Sequence, residues 1–260
     1  MIDLSFSIQE LEYFLLILTR ITCFVYLAPF FGATNVPNRV KIALSVFFSF
    51  LVYELTMPHV FPAYADLLEY TILILKEAIT GLLIGFGANI CSTIVNFAGH
   101  LADMEMGLSM ASMFDPTTKQ SSTVSGVLYQ NGFMLILIVT GFYRYLLKAL
   151  VETFTLIEIG GASINLNSLN GTMITFLGEY MILGFRIALP IISAAMLLNT
   201  VLAILAKIAP QMNMFAVGMQ LKIIVGFMIL FLTIGMMPKI SDFILKEIRV
   251  MITRMVEGLM

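Results

Sequence analysis

Acidic and basic side chains are missing from Ala78 to Gly99, from Ser121 to Tyr143 and from Ile187 to Ala206. Each run can cross roughly 30 Å of hydrocarbon as a helix rising about 1.5 Å per residue. Charged residues make up only 12% of the 260-residue chain and hydrophobic ones 60%, with a mean hydropathy of +0.99, so a bilayer is its natural solvent. Fourteen Lys and Arg against sixteen Asp and Glu give a net charge of −2. There is no basic patch to follow a phosphate backbone, which excludes nucleic acid as a partner. Cysteine is scarce: Cys23 and Cys91 lie in apolar surroundings without CxxC spacing, and a packing role fits them better than a disulfide or a metal. Histidine is limited to His59 and His100. No nucleophile, base and orienting group recur at recognisable spacing and no phosphate-cradling glycine loop is present, so neither an enzyme nor a cofactor site is expected. No Ser/Pro/Gly-rich linker or internal repeat divides the chain, which reads as one integral membrane domain over residues 1–260. Asp3, Glu10 and Glu12 stand where a secretory leader carries basic residues, so the first apolar segment is expected to be retained.

What is present is an all-α pattern of about six long and short hydrophobic segments: Leu11–Phe31, Ile42–Tyr53, Leu67–Gly99, Ser121–Tyr143, Met173–Ala206 and Ile208–Pro238. The second has twelve uncharged residues between Lys41 and Glu54, too few to span unaided. The third and fifth, as continuous helices of about 32 residues, would reach roughly 48 Å, beyond the hydrocarbon. Helices both too long and too short suit a protein packed against other subunits more than against lipid. Arg39 and Lys41 oppose an acidic N-terminal end, which predicts an N-terminus outside the cytoplasm, although the cations of the tail argue the other way. From Pro238 onward Ile240, Phe243, Ile244, Ile248, Met251 and Ile252 recur at helical spacing, the pattern of an amphipathic helix lying on a membrane or a partner.

The interruptions carry the functional signal. Between Gly99 and Gln120 lie Met104, Met106, Met110, Met113 and Phe114 among small residues. Backbone that leaves helix at membrane depth must be buried by protein or line a water-filled cavity. Unbranched, polarizable methionine can close around objects of varying shape and reseal, which is what a gate requires. The candidate gate is Met106, Gly107, Leu108, Ser109, Met110, Ala111, Ser112, Met113, Phe114, Asp115 and Pro116; an ordinary connector is the plain alternative. His100, Asp103 and Glu105 are three possible metal ligands, a weak pattern, and no metal is expected. Glu179 and Arg186 stand two turns apart on one helical face, and Pro190 withdraws the usual donor from the carbonyl of Arg186 and predicts a kink. A stand-alone secondary transporter or channel with its site at Glu179, Arg186 and Pro190 is the alternative function, weakened by the lack of symmetry between halves. Gly81 and Gly85 form a small-xxx-small step that allows close helix approach, with Glu77 one turn earlier. Pro210, Gln211 and Asn213 mark a tight polar turn between the last two long segments.

Arg20, Pro29, Phe31-Gly32, Val36-Pro37, Glu77 with Gly81, Asp103 with Gly107, Asp115-Pro116, Ala188-Leu189-Pro190 and above all Ala209-Pro210-Gln211-Met212-Asn213-Met214-Phe215 resemble the FliR family of flagellar export-gate proteins and their counterparts in virulence type III secretion. The resemblance covers about residues 10–245. The chain departs from the family pattern at Gly141-Phe142-Tyr143, where Gly-Gly-His is frequent, and at Glu105 and Lys207, where Gln and Arg are usual. The resemblance implies a bacterial inner-membrane subunit present once in a helical assembly with several FliP-like and FliQ-like subunits, FlhB-like and FlhA-like export proteins alongside. That assembly would form the pore through which unfolded export substrates enter. It implies a FliP-like part over about 1–170 that includes the plugging loop 106–120, a FliQ-like hairpin over about 171–238, and a tail over 239–260. The expected assembly contacts are Arg20, Glu77, Gly81, Gly85, Arg186, Pro190, Lys207, Pro210, Gln211, Asn213 and Phe215.

Overall fold

The computed structural model describes residues 7–33, 35–109, 123–211 and 213–260, with the backbone alone for Met214 and Phe215. Among them the chain is all-α, with α1 at Ile8–Leu27, α2 at Asn38–Leu55, α3 at Leu67–Ser92, α4 at Ile94–Met106, α5 at Val124–Val139, α6 at Phe142–Leu156, α7 at Leu166–Ile208, α8 at Met214–Ile234 and α9 at Met237–Glu257. Starts follow capping chemistry. Ser7 accepts from Glu10 N at 3.3 Å while Glu10 Oε2 accepts from Ser7 N at 2.8 Å, a complete capping box on α1. Thr123 and Asn213 accept from the third residue onward at the heads of α5 and α8.

Among the described residues three helices are long and apolar enough to cross a membrane: Leu67–Met106, which joins α3 and α4 over 40 residues, Leu166–Ile208 over 43, and Ala216–Ile234 over 19. The first two exceed the expected lengths; at about 1.5 Å per residue α7 alone measures roughly 64 Å. Pro190 lies inside this one continuous helical stretch. The uncharged run Ser121–Tyr143 departs from expectation too. Its residues Val124–Val139 form a 16-residue helix, α5, followed by a bend of 72° into α6. Gly141 takes φ 68, a left-handed conformation that terminates α5 and redirects the chain. The short second segment lengthens to an 18-residue α2 because Lys41 lies inside it, buried, donating to Gly32 O at 2.9 Å and standing 5.5 Å from the Tyr26 ring.

The chain divides into two compact units, one of residues 1–91, 141–175 and 247–260, the other of 92–140 and 176–246. In the first, α2 and α3 flank α1. A Cβ on Gly81 would stand 2.2 Å from Arg20 O and one on Gly85 3.0 Å from Phe24 O, so only glycine admits this approach. The C-terminal turns of α9 lay Met251 and Met255 against Gly87, and the chain end accepts backbone hydrogen bonds from Ser163 N to Leu259 O and Asn165 N to Gly258 O. The apolar face expected to lie on a membrane or a partner is therefore covered by the chain itself: Ile244, Ile248, Met251 and Ile252 are buried, and Phe243 stays exposed.

In the second unit α4 lies against α5 so closely that a Cβ on Gly99 would fall 2.3 Å from the Gly126 Cα. Ala102, Met106, Ile191 and Leu230 form its core, with Leu108 and Ile229 packed on it. Gly184 leaves room for the Phe97 ring, which also meets Tyr180 and Phe185 at 5.3 and 6.0 Å.

Candidate functional site

The first unit is organised around one buried cation. Arg20 of α1 and Glu77 of α3 are both 0% exposed and form a bidentate pair, Nε to Oε2 at 2.5 Å and Nη2 to Oε1 at 3.0 Å. The other guanidinium protons go to the C-terminal end of α6, Nη1 donating to Thr153 O at 3.1 Å and both terminal nitrogens to Ile157 O at 3.2 and 3.3 Å. A cation there meets the negative end of the helix dipole; Thr153 O also accepts from Ile157 N at 2.9 Å, so the guanidinium is its second donor. Phe154 presents its ring 4.3 Å from the guanidinium, and Gly160 N donates to Glu77 Oε1 at 2.8 Å. Charge and hydrogen-bonding capacity are thus matched inside apolar surroundings, the condition under which a buried ion pair is tolerated. Arg20, Glu77, Gly81 and Gly85, expected as contacts to other subunits, instead face this chain's own interior. A fully buried side chain has no surface left for a partner.

The candidate gate begins in the second unit. α4 ends at Gly107, φ 79, whose N–H donates to Met104 O at 3.2 Å. A Cβ at Gly107 would touch nothing within 4 Å, so the backbone angle and not space explains the glycine. One turn earlier Asp103, 1% exposed, accepts from Ser125 N at 3.2 and 3.3 Å through its two carboxylate oxygens. The anion thereby sits at the N-terminus of α5, where free amides and the helix dipole favour it. Asp103 and Ser125 bracket the gate segment, and their bond clasps its two ends together. Met106 differs from its expected role. It is 1% exposed, a core side chain against which Gly226 leaves space, since a Cβ there would lie 2.2 Å from the Met106 sulfur. Leu108 packs on the same core. These two anchor the gate's stem and are not free to swing. Met110, Ala111, Ser112, Met113, Phe114, Asp115 and Pro116 lie outside the described residues.

Residues 11–248 match the family described as bacterial export proteins, family 1. The chain belongs to that family. It is 32% identical over 231 residues to the flagellar biosynthetic protein FliR of Aquifex aeolicus, covering 86% of this chain and 88% of that one. Identity is 27% to the FliR of Escherichia coli, over 87% and 84% of the two chains, and 29% to that of Bacillus subtilis, over 84% of each. The resemblance read from the Pro-Gln-x-Asn turn and its companions is thereby shown, and with it a membrane-embedded protein of bacterial export.

In this family 1 export protein the turn after α7 stays on the surface. Lys207, Pro210, Gln211 and Asn213 are exposed, and Asn213 Oδ1 caps α8 through Ala216 N at 3.3 Å. Phe215 is described only by its place in the first turn of α8. Arg186 is exposed and Pro190 half-buried on α7, and among the described residues Glu179 and Arg186 make no ion pair with each other. The clasp from Asp103 to Ser125 was not foreseen, nor was the fit of Gly99 to Gly126. The second has a sequence signal in retrospect. A lone glycine inside a helix, costing about 1 kcal/mol against alanine, marks a close approach of another backbone.

Proposed function

We propose that the protein is a subunit of the flagellar type III export gate in the bacterial inner membrane. It assembles with FliP-like and FliQ-like subunits, with FlhB-like and FlhA-like proteins beside them, to form the pore that admits unfolded export substrates, and the loop over 106–120 plugs that pore at rest. The FliP-like part of 1–170 supplies the plug, the FliQ-like hairpin over 171–238 supplies the exposed Lys207, Pro210, Gln211 and Asn213 as contacts to neighbours, and the tail follows over 239–260. The observation that carries the plug reading is the Asp103–Ser125 clasp. It holds the two stems of the segment together through one buried carboxylate, so the loop between them can be displaced and return while its base stays fixed. Membership in an export family and a methionine-rich composition support the same role.

The gate works passively, without catalysis of its own. A substrate segment delivered by energised machinery displaces the small and methionine side chains, and they close again behind it. Deleting Met110 to Met113 in the assembled complex is expected to raise resting ion conductance of the cell membrane with no substrate engaged. Unchanged conductance in a complex that still assembles removes the plug from the proposal.

A further inference from the structure

In the second unit the hairpin of α7 and α8 ends on a groove. Leu202 against Gly218, and Ile191 in one core cluster with Leu230, set these helices antiparallel in a register that brings Arg186 level with the end of α8. There Arg186 and Lys239 line a groove of about 210 Å³. The uncharged run 187–206 starts directly after Arg186, and the span Ala216–Ile234, which holds Lys222, ends four residues short of Lys239. With those two stretches in the roughly 30 Å of hydrocarbon, the two cations would lie where acyl chains give way to head groups. Leu183, Ile187, Ile240 and Phe243 make the groove wall apolar, and none of its lining residues is acidic. Among the described residues neither Arg186 nor Lys239 has an ion-pair partner.

We propose that this groove binds one anionic phospholipid, its phosphate between the Arg186 guanidinium and the Lys239 ammonium and an acyl chain along Ile187, Ile240 and Phe243. Two cations without a counter-charge, over an apolar wall at the edge of the bilayer, complement an anionic head group with a tail. A zwitterionic lipid brings its own cation to the same place. Each cation near a membrane surface contributes about a factor of five in affinity for anionic lipid, so losing both weakens binding on the order of 30-fold.

The test uses the full chain purified in detergent together with whatever subunits accompany it, titrated with phosphatidylglycerol or phosphatidylcholine and read by native mass spectrometry. One phosphatidylglycerol is expected to bind in preference to phosphatidylcholine. The double substitution R186Q/K239Q should lose it by the factor above, and R186K/K239R should hold it within a few-fold. I240W, which fills the groove with both cations in place, should lose it as well, and that titration decides the matter if R186Q/K239Q does not fold. Equal binding of the two lipids, undiminished binding in I240W, displacement of the lipid by millimolar inorganic phosphate, or a photocrosslinker at Phe243 capturing a protein subunit and no lipid would each overturn the assignment.

Discussion

Glu77→Gln keeps the side-chain shape and removes one charge from a fully buried pair. Three donors converge on the native carboxylate: Arg20 Nε, Arg20 Nη2 and Gly160 N. An amide offers a single oxygen, so at least one donor loses its acceptor, and the guanidinium is left as an uncompensated charge with 0% exposure. Breaking a buried pair from one side costs about 3–5 kcal/mol, a large share of the 5–15 kcal/mol that typically holds a domain together. Arg20→Met combined with Glu77→Leu removes both charges and should cost less than Glu77→Gln alone, because nothing charged remains to be solvated. The chain contains no tryptophan, so unfolding by SDS in mixed micelles is best followed by far-UV circular dichroism. A Glu77→Gln penalty below about 1 kcal/mol, or a double variant less stable than the single one, would refute the account of Arg20 as a cation dependent on its partner.

Gly99→Ala should destabilise by about 1–3 kcal/mol or more, since its Cβ meets the Gly126 backbone, whereas Gly171→Ala in α7, with nothing within 4 Å, should be neutral or stabilising by about 0.5–1 kcal/mol in the same unfolding assay. Gly107→Val should cost about 1–2 kcal/mol for its left-handed backbone, with Gly107→Asn costing clearly less. Tyr64, in the α2–α3 connection, donates to the Glu12 carboxylate, and that hydrogen bond, ahead of burial and the neighbouring charge, raises the phenol above its ordinary value. A raised value in the folded state means the contact contributes stability below the unfolded phenol value and loses it as pH climbs through the folded one. Glu12→Gln should return Tyr64 toward the usual phenol range, read by ¹³C NMR of labelled tyrosine.

Much of the helical architecture was legible because charge-free runs and 3.6-residue spacing are local properties. Ile187–Ala206 fell inside α7, Ala78–Gly99 fell across α3 and α4 with a break at Thr93, and the period of Ile244, Ile248, Met251 and Ile252 named the buried face of α9. What covers a face is not local. Gly81 and Gly85 announced a close neighbour, but nothing near them in the chain says that it is the Arg20–Phe24 backbone. The bend at Gly141 escaped notice because a charge-free run looks the same whether the helix within it is straight or broken. At the candidate gate the methionines drew attention to the loop, while its clasp depends on Asp103 and Ser125, 22 residues apart, meeting in space.

The spacing of Arg20's partners has a consequence for biogenesis. Glu77 follows it by 57 residues and the Ile157 carbonyl by 137. At roughly 5–20 residues per second on the ribosome, the first partner emerges about 3–11 s after the arginine, and the last after about 7–27 s. Through that interval an unneutralised guanidinium rides on an apolar segment that the insertion machinery must handle. Lateral release of the first helix into lipid is therefore disfavoured until a later one arrives, and the opening third of the chain commits to the membrane as a group.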